Sequence, residues 1–123
     1  MTSFERGDVL LVRFPDSNLT TFKLRPALVV QNPAVETGLD QRIVAMITSN
    51  TRRGGLSRVF VAQASAEGRA MGLLSDSVVV ADNLATVASF AVARVLGKCP
   101  IMEQVDRALR AILGLEGQAA GRL

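Results

Sequence analysis

Histidine is missing altogether from the 123-residue chain, and with it the side chain that most often serves as a general base near neutral pH. Any acid–base chemistry falls to carboxylates, lysine, arginine or Cys99. The lone cysteine excludes an internal disulfide and fits a reducing compartment. With no histidine beside it there is no Cys/His set for structural zinc, and neither a metal nor a cofactor is expected. Nothing in the sequence around Cys99 activates it, so it reads as a small hydrophobe. Long apolar runs are also lacking, and the opening residues MTSFERGD do not follow the basic-then-apolar order of a secretory signal. The expected location is the cytoplasm, without membrane contact. Repeats, low-complexity segments and linkers are absent too, so residues 1–115 are expected to form one domain and residues 116–123 a flexible tail.

Lysine is scarce. Lys23 and Lys98 are the only two among 14 basic residues, and with 11 acidic residues the net charge is +3. Arginine suits two-pronged recognition of phosphate, but a modest positive balance does not by itself name a partner. Position has to decide.

Short apolar, β-branched stretches follow one another along the chain. VLLVRF (9–14) stands between the Gly7-Asp8 turn and Pro15 and reads as a central strand. PDSNLTTFKL (15–24) reads as a long mobile loop, and the next strand, ALVVQ, is expected to start after Pro26. RIVAMITS (42–49) is a third strand, followed by NTRRGG (50–55), read as a basic hairpin loop. RVFVA (58–62), DSVVVA (76–81) and ARVLG (93–97) are weaker strands, with EGRAMGLL between the first two as a loop or short helical turn. Six or seven short strands without long intervening helices point to a mostly β fold, a small, strongly bent antiparallel barrel or sandwich. The final segment differs. Ile101, Met102, Val105, Leu109, Ile112 and Leu113 recur at helical spacing, with Pro100 suited to the first turn and Gly114 to the cap. Glu103 with Arg107 and Asp106 with Arg110 are spaced as ion pairs on its outer face.

Taken together, GDVLLVRFP, KLRPALVV, the strand ending ITSN, DSVVVADN and RVLGK before an amphipathic helix resemble the MazF/PemK/Kid toxins of type II toxin–antitoxin systems, over roughly residues 6–115. The resemblance implies an SH3-like small barrel of the plasmid-maintenance toxin type, a homodimer, and metal-independent endoribonuclease cleavage of single-stranded RNA. It also implies an acidic antitoxin as partner, with DNA met only through the antitoxin complex. The family's catalytic Arg and Thr map onto Arg25 and Thr48, and its acidic residue onto Asp82. Asn83, Ala85 and Ala88 depart from the Gln, basic residue and Asp commoner in the family.

The remaining candidates carry two readings each. Phe22 either folds back on the core or stacks on a base, and Arg52 and Arg53 either decorate a solvated turn or attract an RNA backbone. Lys23, Ser49 and Asn50 flank the catalytic candidates and complete an RNA-binding set, while Asp76 reads as structural. Two alternatives to the nuclease stay open, a CcdB-like gyrase poison of the same fold and a catalytically silent RNA-binding homologue.

Overall fold

The structure, a computed structural model, describes residues 4–15, 18 and 20–115. The expected tail at 116–123 and much of the head of the 15–24 segment lie outside the described residues. Six strands are present among them: β1 (Asp8–Pro15), β2 (Phe22–Val29), β3 (Gln41–Thr48), β4 (Arg58–Val61), β5 (Ser77–Ala88) and β6 (Val92–Lys98). A short helix, α1 (Ala66–Ala70), follows β4, and the helix α2 (Met102–Leu113) comes last. The strands form one antiparallel sheet in the order β4-β5-β3-β2-β1-β6.

Apolar residues occur on both faces of this sheet, which explains why the strands read as apolar runs with little alternation. On one face Val9, Leu28, Ala45, Ile47, Val59, Val61 and Val79 pack with Val105 and Ala108 of α2 and with Met71 and Leu73. On the other, Leu10, Val12, Ala27, Val29, Val44 and Val87 gather around Phe4. Each Val, Leu, Ile, Phe or Met side chain among them, fully withdrawn from water, contributes about 1.5–3 kcal/mol before entropy is counted, and each Ala less. The sheet curls so that its open side is closed by chain rather than by strand pairing. The turn after α1 rests directly on β6: a Cβ on Gly97 would lie 2.2 Å from the Ala70 carbonyl oxygen, and one on Gly72 2.4 Å from the Leu96 carbonyl oxygen. Only glycine fits at either contact.

The helix forms as its periodicity predicts, and Gly114 caps it in the left-handed conformation (φ 73°). Its charged face is not simply solvated. Asp106 is half-buried and paired with the Arg6 guanidinium, whose Nε also donates to the Val30 carbonyl at 2.9 Å. One arginine thereby joins the segment before β1, the end of β2 and α2.

Three expectations are corrected. β1 is flanked by β2 and β6 and lies next to the sheet's end, not at its centre. Residues 50–55 are not a hairpin, because β5 lies between β3 and β4 and pairs with both; the segment crosses over to a strand parallel to β3. Sequence adjacency hid this, since β5 arrives only after both. Finally, β2 begins at Phe22, so Pro26 lies inside the strand and the loop is shorter than expected.

Pro26 is tolerated there because of what it withholds. β2 pairs with β1 from Phe22 to Leu28, but with β3 only at Ala27–Met46, Leu28–Ala45 and Val29–Val44. The Val30 N–H donates to the Ile43 carbonyl at 3.1 Å, so, counting back in twos, the backbone at 28 and 26 faces β3. At position 26 there is no N–H to give, and the ladder to β3 stops.

Two outcomes follow. Gly97→Ala should lower stability by about 1–3 kcal/mol in chemical denaturation, since the main chain opposite has no flexible end to move aside. Pro26→Ala restores a donor facing Ile47, and hydrogen exchange should find the new amide at 26 protected at least about tenfold. Exchange there at the rate of an open chain would show that something other than the missing donor ends the ladder.

Candidate active site

The break in the β2–β3 ladder fixes where Arg25 stands. Continuing the register Ala27–Met46 by one alternation sets Arg25 level with Thr48, on the same face of the sheet. Both strands are anchored by fully buried residues just behind these positions, Ala27 and Leu28 on β2 and Val44 and Ala45 on β3. Arg25 is exposed, and among the described residues it has no hydrogen bond or ion pair. Its donors are therefore available to a ligand. Thr48 is half-buried, and its Oγ1 accepts the Asn50 N–H at 3.1 Å, which leaves its hydroxyl proton uncommitted.

Around this pair opens a cleft of about 550 Å³, lined by Arg25, Thr48, Asn50, Arg53, Arg58 and Asp82, with Met46 and Val80 also lining it. The Asn50 carboxamide accepts the Arg52 N–H at 3.1 Å and so shapes the turn that carries Arg53 to the cleft. A second cleft of about 580 Å³ shares Arg25 and Thr48 and adds Ser49 with apolar Leu24, Leu73 and Leu96. The Arg25–Thr48 pair is thus a wall common to two recesses.

Asp82 reaches the first cleft through an irregularity in β5. Ala45 pairs with Leu84, but the next residue, Met46, pairs with Val80, so residues 81–83 have no partner on β3. This bulge carries Asp82 and Asn83. The Asp82 carboxylate faces the Arg58 guanidinium, Oδ1 to Nη2 at 3.6 Å.

Of the residues singled out from sequence, the cleft collects Arg25, Thr48, Asn50, Arg53 and Asp82, and Ser49 stands in its neighbour. Phe22, Lys23 and Arg52 line neither, although all are exposed and Phe22 keeps 58% of its surface in water. Asp76 is structural as read, its Oδ1 accepting the Gln63 N–H at 2.9 Å. Cys99 is buried, and burial pushes its thiol above the ordinary range, so it holds no thiolate for chemistry at neutral pH. Arg58 escaped the sequence reading. Its only local signal is the alternation of Arg58 and Phe60 with Val59 and Val61, and that cannot show which strand lies alongside.

Among the described residues no group of three or more His, Cys, Asp or Glu could hold a metal ion. No described helix is long and apolar enough to cross a membrane.

Comparison with known proteins bears on the fold and the family. Curated protein sequences gave no match. Among solved structures, the fold is similar to an endoribonuclease in complex with its cognate antitoxin from a mycobacterial species, with 24% identity over 92% of this chain and 97% of that one and a TM-score of 0.68. It is similar also to the Mycobacterium tuberculosis toxin MazF-mt6, with 24% identity, coverage of 87% and 96%, and a TM-score of 0.67. The MazE–MazF complex of Deinococcus radiodurans gives 20% identity, coverage of 92% and 98%, and a TM-score of 0.70. Residues 5–113 match the family model described as the PemK-like, MazF-like toxin of type II toxin–antitoxin systems, and the chain belongs to that family.

Proposed function

We propose that this toxin is an endoribonuclease that cuts single-stranded RNA without a metal ion, using the RNA's own 2′-hydroxyl as nucleophile. The observation that carries the reading is a guanidinium, without a partner among the described residues, level with a threonine hydroxyl at the edge of a cleft. The 2′-oxygen bonds to the adjacent phosphorus and the bond from phosphorus to the 5′-oxygen breaks, giving a 2′,3′-cyclic phosphate and a 5′-hydroxyl. The proton of the attacking hydroxyl leaves to solvent, and solvent returns one to the departing oxygen. Arg25 neutralises the charge that grows on the non-bridging oxygens, and Thr48 donates to one of them and fixes its orientation.

Asn50 and Arg53 hold the strand in the same cleft, and Ser49 contacts a nucleotide in the neighbouring one. The exposed Phe22 stacks on a base outside the clefts, and Lys23 and Arg52 add attraction to the backbone. The working unit is a cytoplasmic homodimer, silenced when an acidic antitoxin segment covers the basic cleft. Exposed Leu56, Phe60, Leu74 and Phe90 supply apolar area for such contacts.

Cleavage of a long RNA should continue in excess EDTA and leave 5′-hydroxyl ends, while a DNA copy stays intact. Arg25→Ala should slow it by about two to three orders of magnitude at unchanged stability, and Thr48→Ala by less. Equal rates for Arg25→Ala and wild type would remove Arg25 from the chemistry, and loss of cleavage on chelation would remove the mechanism. Sedimentation equilibrium at micromolar concentration should return twice the chain mass; a monomer there would count against the dimer.

A further inference from the structure

We infer that Arg58 is a further phosphate-binding residue of the RNA cleft, and that Asp82 is its positioning residue and not the base that accepts the 2′-hydroxyl proton. The inference rests on the ribonuclease reading above. Its basis is a row of side chains across four strands. Arg58 on β4 pairs with Val80 on β5, Val80 with Met46 on β3, and Met46 with Ala27 on β2. Paired residues share a face, so Arg58, Val80, Met46 and Ala27 lie on one side of the sheet, and Arg25, two residues before Ala27, lies there too. Val80 and Met46 line the cleft, with Arg25 on one side of them and Arg58 on the other.

Three strand spacings separate β2 from β4, about 14 Å between backbones. Two long arginines reaching inward across that gap serve neighbouring phosphates along one bound strand better than a single phosphoryl group. The charge balance agrees. Arg25, Arg53 and Arg58 line the cleft against one carboxylate, Asp82, so it keeps a net positive charge with the Arg58–Asp82 pair formed.

Arg58 needs its partner. Only 18% of its side chain meets solvent, against 35% for Asp82, and a guanidinium that far from water requires a counter-charge to hold one orientation. Of its guanidinium donors, the ion pair at 3.6 Å is the one polar interaction recorded with a described residue, which leaves the fork free for a phosphate. Residues 81–83, released from β3, place the carboxylate toward β4, and the Ala81 N–H donates to the Ser57 carbonyl at 2.8 Å, fixing the bulge against the residue before Arg58. A carboxylate set against a guanidinium in this way suits alignment more than proton abstraction.

The test uses the full chain and an RNA whose 2′-positions are methylated, which binds but cannot attack. Affinity is read by fluorescence anisotropy over a salt series, and turnover on unmodified RNA is read in parallel across pH. Arg58→Gln should weaken binding about tenfold and lower the slope of log affinity against log salt by about 0.7, the value for one phosphate contact on a single strand. Arg58→Lys, which keeps the charge and guards against misfolding as the cause, should retain the slope. Asp82→Asn should weaken binding less than Arg58→Gln and leave the shape of the pH–rate profile unchanged. The double variant should bind no worse than Arg58→Gln alone, since the carboxylate acts through that arginine. Wild-type affinity and slope in Arg58→Gln would overturn the inference. So would an Asp82→Asn protein that binds normally but loses turnover and the acid limb of its profile, which would make Asp82 the base. Either result leaves the ribonuclease reading standing, whereas wild-type protein that neither binds nor cuts RNA removes that reading and this one with it.

Discussion

One absent hydrogen-bond donor organises the site. At position 26 the backbone faces β3 with a proline ring where an N–H would continue the ladder, and the two strands separate there. Arg25 lies one residue further and Thr48 at the last position of β3, and the pair forms a wall shared by two clefts. Burial of Ala27, Leu28, Val44 and Ala45 behind the break keeps the two strand ends from drifting, so an opening made by local chemistry becomes a fixed geometry.

A second irregularity does the complementary work on the other wall. The bulge at residues 81–83 frees Asp82 and Asn83 from the β3–β5 ladder and turns them to the cleft. A proline on one strand and an inserted stretch on another are different devices with a common result. Both interrupt backbone pairing on β3's flanks, and both bring polar side chains to a floor made of Met46 and Val80.

How far the sequence disclosed this follows from which contacts are local. The α2 helix and its glycine cap were legible because periodicity and capping are properties of a few consecutive residues. Arg25, Thr48 and Asp82 were legible through motifs that lie along single strands. Arg58 was not, for its place depends on pairing with Val80, 22 positions away, and on β5 coming between β3 and β4. The length of β5 was missed for a related reason: the polar Asp82-Asn83 pair ends the apolar run, whereas the strand continues through the bulge to Ala88. The pairing of Asp106 with Arg6 was hidden likewise, because Arg6 comes from the far end of the chain.

The crossover of residues between β3 and β4 bears on the order in which the molecule can be assembled. Among the described residues β4 has no strand neighbour other than β5, which follows it in the chain. During synthesis β1, β2 and β3 can pair as each emerges, but β4 must wait for β5, which pairs with both β3 and β4. The wall of the cleft that holds Arg58 and Asp82 therefore forms only after the wall that holds Arg25 and Thr48. A chain interrupted before residue 80 has Arg25 and Thr48 but no enclosed cleft between strands, so the folding route itself withholds a complete site from an unfinished polypeptide.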